Sequence, residues 1–275
     1  MTKQNISATT KLYGFFGFPA LHSLSPIMQN AAFIESSINA AYLAFAVSEK
    51  DLSQAIKGAQ VMGIKGLSVS LPHKVKVMEF CDVLDSASRD VGAVNTLKFE
   101  KGKIFGFNTD VYGLSQSIAE KIDIASKNAL ILGAGGTART AVVAMKKLKA
   151  KKITVLNRTL EKAKTIAVEQ GVHYDSLNNF KANPGDVILN TTSVGLTTED
   201  SIITPEKIPR ESIVFDSIYK KGKKKTLLLR TAENKGCLTI DGLRMLFFQG
   251  IKQFEIWTEK KAPQDKMWQV LEQEA

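Results

Sequence analysis

From Asn128 to Thr140 the chain reads Asn-Ala-Leu-Ile-Leu-Gly-Ala-Gly-Gly-Thr-Ala-Arg-Thr, and the chemistry such a stretch can do is anion binding. Four apolar residues, Ala129 to Leu132, run into Gly133. Gly135 and Gly136 follow, and an alanine-rich helical pattern extends from Ala138 through Met145. A buried strand, a turn without side chains and a helix start together aim bare N–H groups and the positive end of the helix dipole outward. A diphosphate suits that turn, held by Gly133, Ala134, Gly135, Gly136 and Thr137. The spacing Gly-x-Gly-x-x-Ala puts Ala138 at the position that packs helix on strand in dinucleotide sites. Taken alone, the motif also fits a left-handed turn with no ligand.

The end of the following strand bears on which dinucleotide would bind. An NAD site places an acidic residue about twenty residues beyond the glycines, on the adenosine ribose. Here that position reads Asn157-Arg158-Thr159, with no carboxylate. A 2′-phosphate wants a planar cation and hydroxyl or amide donors, and a carboxylate would repel it. The sequence therefore favours NADP over NAD. The alternative is an arginine facing solvent from a loop, with Thr159 capping the next helix.

The elements that must position these residues alternate along 275 residues, a length that suits two domains. Strand patterns at Leu12–Phe18, Ala41–Val47 and Ile64–Leu71 alternate with helical ones at Ile27–Ile38 and Glu49–Met62. Ser25 followed by Pro26 reads as N-cap and first helical residue, and Pro72-His73-Lys74 as the opening of another helix toward Cys81. Ala93–Phe99 and Ile104–Phe107 flank a hairpin-type turn, and Asn108-Thr109-Asp110 leads into a connecting helix from Val111. After a pause at Asp123–Lys127, the second half offers strands at Ile153–Leu156, Asp186–Asn190 and Ile213–Asp216. Its helices fall at Leu160–Gln170, Leu227–Asn234 and Arg244–Thr258. The expectation is an α/β fold of two domains. Residues 1–110 form an N-terminal α/β domain with a mixed sheet, onto which a C-terminal helix at 244–275 packs back. Residues 111–243 form a Rossmann-type domain.

Composition narrows the class. With 44% hydrophobic and 23% charged residues the chain is an ordinary globular protein. Its apolar runs are too short to span a membrane, and its first residues lack an apolar secretory core, so the expected location is cytoplasmic. Cys81 and Cys237 stand in no metal or redox spacing, and no metal site is expected. The net charge of +10 is concentrated in lysine runs at 146–152 and 220–225. Without interleaved aromatics in the first run or a recognised nucleic-acid module, these read as solvated faces, or as a field that draws in an anionic substrate and cofactor.

Six separated segments, in order, carry a resemblance. They are Tyr13–Pro19 with Ser23-Leu-Ser-Pro26; Gly66-Leu-Ser-Val-Ser-Leu-Pro-His-Lys74; Gly92-Ala-Val-Asn-Thr96 with Asn108-Thr-Asp110; Gly133–Gly136; Asn157-Arg-Thr159; and Asp241-Gly-Leu243 with Gln249. Together, over nearly the whole chain, they resemble the shikimate dehydrogenase family. The resemblance implies an N-terminal domain for a polyhydroxy cyclohexene carboxylate, a domain for NADP, and a cleft between them. It implies the NADPH-dependent, reversible reduction of 3-dehydroshikimate to shikimate. The expected partners are small molecules, and the chain is expected to be a monomer or homodimer, between which the sequence does not choose. Lys74 matches the catalytic lysine and Asp110 its carboxylate partner. Ser23 and Ser25 match the serines for the substrate carboxylate, a role a helix N-terminus with two hydroxyls suits. Ser70 stands at a position that is usually threonine, and Asn95 matches the asparagine for the ring hydroxyls. Gln249 matches a substrate-reaching glutamine, Tyr219 a tyrosine near nicotinamide and substrate, and Gly242 a glycine at the cofactor. His73 reads as a bystander.

Three departures bear on substrate preference. Ser68 replaces an asparagine common in the family, a shorter reach that leaves room for a water or a different substituent. Phe18 stands where asparagine often precedes the proline. Arg244 stands where a glycine is usual, close to the expected cofactor. A quinate/shikimate or other hydroxy-acid dehydrogenase remains an alternative within the family, and an NADP-binding protein without turnover is the alternative outside enzymes.

Overall fold

The computed structural model describes residues 6–21, 23–220, 222 and 224–274. The chain forms two compact units, one of residues up to Asp110 together with Gln249–Glu274, the other Val111–Phe248. Among the described residues no helix is long and apolar enough to cross a membrane, and no cluster of side chains could hold a metal ion.

The first unit begins with β1 (Lys11–Gly17), α1 (Ser25–Glu35), β2 (Ala40–Ala46), α2 (Leu52–Val61) and β3 (Gly66–Val69). It continues with β4 (Val83–Leu84), α3 (Ser86–Val91), β5 (Thr96–Glu100), β6 (Lys103–Phe107) and the start of α4 (Thr109–Ala119). Its sheet has the order β2-β1-β3-β5-β6-β4. β2, β1 and β3 are parallel because helices carry the crossovers, while β5 and β6 form an antiparallel hairpin on a two-residue turn. Leu67 and Val69 of β3 point into an apolar core with Ile56, Val77 and Leu97. By the two-residue period of a strand, Ser68 and Ser70 face the other way. β2 is an edge strand of seven residues without a charge. Its outer edge is interrupted by Asn30 of α1, whose carboxamide accepts from Tyr42 N (2.8 Å) and donates to Tyr42 O (2.9 Å).

In the second unit, β7 (Asn128–Leu132), α5 (Gly136–Lys147), β8 (Lys152–Asn157), α6 (Leu160–Gln170) and β9 (His173–Ser176) are followed by β10 (Val187–Asn190). β11 (Ile213–Asp216), α7 (Leu227–Asn234), β12 (Leu238–Ile240) and the first turns of α8 (Gly242–Thr258) complete it; α8 then continues into the first unit, as does α9 (Gln264–Glu274). The sheet is wholly parallel, in the order β12-β11-β10-β7-β8-β9. Every residue of β10 and β11 is buried, as strands covered on both faces must be. This is the doubly wound dinucleotide-binding topology, whose order reverses between β7 and β10.

Several expectations need correction. Ser25 is not the cap of α1; it is the first helical residue, and Leu24 occupies the cap position. The hydroxyl that meets the first helical amide is that of Ser23, which accepts from Ser25 N at 3.2 Å. Pro72-His73-Lys74 does not open an α-helix. The Lys74 carbonyl is taken by Val94 N at 2.8 Å, so no ladder starts there, and a 3-10 turn at Lys76–Phe80 follows instead. The single C-terminal helix is two helices: Glu259 adopts a left-handed φ of 57°, and Pro263 cannot continue the hydrogen-bond ladder. The short strands β9 and β12 did not stand out, being polar or only three residues long.

Candidate active site

Lys74 and Asp110 meet in the first unit. Lys74 Nζ lies 2.7 Å from Asp110 Oδ2, and the two side chains are 28% and 11% exposed. The six residues after β3 hold the lysine, and Asp110 occupies the first turn of α4, where the helix dipole favours a carboxylate. Asn95 Nδ2 donates to the other carboxylate oxygen at 2.9 Å, so both oxygens of Asp110 are engaged. The Asn95 carboxamide has one orientation, because its Oδ1 accepts from the backbone N–H of Thr109 at 2.8 Å. Gln249 Oε1 lies 3.5 Å from the same Asn95 nitrogen. A partly buried ammonium held by a carboxylate can stabilise negative charge on a substrate oxygen and deliver a proton to it.

A second set of contacts joins this cluster to the serines. Tyr42 Oη donates to Ser68 Oγ (2.6 Å), Ser68 Oγ donates to Gln253 Oε1 (2.8 Å), and Gln253 Nε2 donates to Thr96 Oγ1 (3.0 Å). Thr96 Oγ1 in turn donates to Asn95 Oδ1 at 2.8 Å. The Ser25 hydroxyl lies against the Tyr42 phenol. Burial drives the Tyr42 pKa well above that of a free tyrosine, and the Ser68 and Ser25 hydroxyls oppose the rise. Ser23 is tied to Ser25 through the backbone contact already described. Ser70 is half-buried on the same face of the chain as Ser68. His73 is buried, and its ring Nε2 lies 2.7 Å from the Val47 carbonyl.

Thus Lys74, Asp110, Asn95 and Gln249 come together directly, and Ser25 joins them through residues that sequence reasoning missed: Tyr42, Thr96 and Gln253. Only Gln253 left a trace, four residues after Gln249 and so on the same helix face. Tyr219 belongs to the other unit. The Ser68 hydroxyl spends its proton on Gln253 and one acceptor position on Tyr42, which leaves it a single acceptor position.

In the second unit Gly133 follows β7 with φ 116°, and a Cβ there would come within 2.8 Å of both Thr192 and Thr191. Only glycine fits. Gly135 and Gly136, at the start of α5, have nothing within 4 Å of an added Cβ, so their backbones face open space. Ala134 and Thr137 flank them, and Ala138 is fully buried under the helix. Asn157, at the end of β8, donates to Thr159 O at 2.9 Å and shapes the turn. Arg158 is exposed and has no ion-pair or hydrogen-bond partner among the described residues, and the Thr159 hydroxyl makes no cap bond. Gly242 packs against the Ser217 carbonyl, where a Cβ would stand 2.2 Å from the oxygen. Tyr219 follows β11, with a pKa raised by burial.

Arg244 does not lie free beside the turn. Its Nε donates to Glu120 Oε1 at 2.7 Å, a second nitrogen meets Glu120 Oε2, and its guanidinium lies over the rings of Phe247 and Phe248. Asp216, at the end of β11, went unnoticed in the sequence. It accepts from Asn190 Nδ2 (3.0 Å), Thr226 Oγ1 (2.7 Å) and Ile218 N (3.1 Å). Burial outweighs these bonds and lifts its pKa to about 6.

A mixed-sheet unit with a lysine–carboxylate pair, joined in one chain to a doubly wound unit with a bare glycine turn, defines the class of two-unit α/β proteins built to bind a dinucleotide. Comparison with known proteins makes this specific. Residues 15–97 match the shikimate dehydrogenase substrate binding domain, 114–215 the shikimate/quinate 5-dehydrogenase domain, and 242–272 the shikimate 5′-dehydrogenase C-terminal domain. The chain belongs to the shikimate dehydrogenase family. It is 43% identical over 265 residues to the NADP(+) shikimate dehydrogenase of Thermococcus kodakarensis, covering 94% of this chain and 95% of that one. A crystal structure of a shikimate dehydrogenase in complex with NADP+ superposes with a TM-score of 0.93 at 36% identity, covering 99% and 98%. The Thermus thermophilus enzyme in complex with NADP(H) and shikimate gives 0.88 at 29% identity, covering 96% and 99%.

Proposed function

We propose that this protein is an NADP-dependent shikimate dehydrogenase that reversibly reduces 3-dehydroshikimate to shikimate, a step toward aromatic amino acids. The observation that carries the proposal is the Lys74–Asp110–Asn95 cluster, found in a chain that matches NADP-dependent shikimate dehydrogenases along nearly its whole length. When bound, NADPH would supply the hydride that reduces the substrate carbonyl carbon. Lys74 offers its ammonium to the oxygen on which charge develops and gives up a proton there. Asp110 keeps Lys74 in place and accepts from a neighbouring ring hydroxyl. Asn95, Ser70 and Gln249 hold the ring substituents, while Ser23 and Ser25 seat the carboxylate at the start of α1.

The second unit fits NADP. Gly133, Ala134, Gly135, Gly136 and Thr137 leave room for a diphosphate against backbone amides, and Arg158 with Asn157 and Thr159 offers an uncommitted cation and hydroxyl to a 2′-phosphate. Gly242 lets α8 begin close to the strand ends. The partners in this reading are small molecules; Lys220 and Lys225 of the second lysine run pair with Glu199 and Glu233.

The test is a spectrophotometric assay of NADP and NAD reduction with shikimate and with quinate. NADP reduction with shikimate is expected to be the fastest of the four reactions. Absence of shikimate turnover with either nucleotide overturns the proposal, and faster turnover of quinate makes the protein a quinate/shikimate enzyme.

A further inference from the structure

Gln253 is fully buried, and nothing in the resemblance or the proposed chemistry gives it a task. Its surroundings do. The backbone N–H of Thr109 can only donate, so the oxygen of Asn95 must face it. Thr96 Oγ1, 2.8 Å from that oxygen, must then donate to it, which leaves the Thr96 oxygen to accept from Gln253 Nε2. The carbonyl of Asn95, 3.4 Å from the same nitrogen, sets the amide the same way. Gln253 Oε1 can therefore only accept, and Ser68 must spend its single proton on it. The Ser68 oxygen then receives the Tyr42 hydroxyl. Each donor in the row from Tyr42 to Asp110 is thus fixed by one backbone amide, and Gln253 is its central link.

We propose that Gln253 is a positioning residue for the reaction: through Thr96 and Asn95 its carboxamide holds the Asp110–Lys74 pair in working geometry, and it leaves Ser68 able only to accept a hydrogen bond from substrate. The inference rests on the proposed dehydrogenase chemistry and adds a specificity consequence. With a serine in place of the family's common asparagine, a carboxamide has not vanished from this region; α8 supplies it instead of β3. A ring substituent beside Ser68 must carry its own proton, so a hydroxyl is accepted there and an acceptor-only group is refused.

Three variants test it in the assay above. Gln253→Leu keeps the volume and removes all three of its hydrogen bonds. Gln253→Glu keeps the shape and, when ionised, cannot donate to Thr96 or to the Asn95 carbonyl. In Gln253→Ala with Ser68→Asn, the carboxamide moves to the strand. For Gln253→Leu, kcat with shikimate is expected to fall on the order of 10-fold, the effect of about one lost buried hydrogen bond, with KM for NADP unchanged. For Gln253→Glu the pH profile of kcat shifts, because a carboxylate now stands next to the chain that ends on Asp110. The double variant recovers kcat relative to Gln253→Ala alone. A glutamine that merely packs would lower Tm in Gln253→Leu and leave kcat and pH profile of the folded protein unchanged, and that result overturns the proposal. Wild-type turnover in the same assay decides the dehydrogenase reading separately. An NMR titration of the Lys74 ammonium in substrate-free protein, unchanged between wild type and Gln253→Glu, would refute the positioning role whether or not shikimate is turned over.

Discussion

In the first unit Asn95 is bonded to Thr96, Thr109 and Asp110 at once, and Asp110 has both oxygens engaged before any substrate arrives. At the glycine turn of the second unit, Gly135 and Gly136 face open space, and Arg158 has no partner among the described residues. The contrast follows from what each ligand brings. A carbonyl about to be reduced develops its charge only during the reaction, so donors must be oriented in advance, and orientation requires hydrogen bonds among the protein's own groups. A dinucleotide arrives with its phosphates fully charged; what it needs is access to amides and a cation not already neutralised.

That difference predicts how each region fails. Lys74→Ala removes the group that acts in the reaction itself, so kcat should fall on the order of 100- to 10,000-fold with little change in KM. Steady-state kinetics with shikimate and NADP check this; a large KM rise at constant kcat would instead make Lys74 a binding residue. Gly135→Thr should leave the fold intact, since its φ of −101° is open to any residue and threonine is tolerated at a helix cap. The same change puts a branched side chain where the diphosphate would lie. NADP affinity by calorimetry should drop on the order of 100-fold while Tm stays within about 2 °C. A large Tm loss would mean that the turn is structural and was never kept clear for a ligand. Arg158→Ala should weaken NADP about 10-fold or more and leave NAD nearly untouched. Equal losses would remove the 2′-phosphate from its assigned place.

Asp216 yields the smallest effect, and one of opposite sense to the usual carboxylate. Its folded pKa of about 6 lies above that of an unfolded aspartate, near 3.9, so the folded state binds the extra proton between those values. Its contribution to stability is full below about pH 4 and fades as the pH climbs through 6. Asp216→Asn should flatten that part of the stability curve. Urea midpoints taken from pH 4 to 6.5 on both proteins check the slope, and parallel curves would contradict it.

The strands and helices of the second unit were readable because parallel strands buried on both faces are nearly continuous apolar runs, and because Gly133 punctuates the pattern. β9 and β12 were not, since strands of three or four residues carry too few side chains to show a period. Ser25 and Lys74 were placed in the right segments but in the wrong local roles. A serine before a proline looks like a cap until a neighbouring hydroxyl takes the amide, and a Pro-His-Lys turn looks like a helix start until another segment claims its carbonyl. The row through Tyr42, Ser68 and Gln253 was invisible for a different reason. Its members lie on two strands and a helix, 26 and 185 residues apart, and no local spacing encodes such a meeting.

The carboxamide of Asn30 on the rim of β2 also has a bearing on self-association through that edge. A bare edge of seven uncharged residues would offer its amides and carbonyls to any extended chain, including a partly unfolded copy of itself, and so seed growth of intermolecular sheet. By occupying both polar groups of Tyr42 in the middle of that edge, Asn30 leaves an incoming strand no unbroken register. It acts as a solubility safeguard supplied by a helix, in a strand that carries no lysine or proline for that purpose.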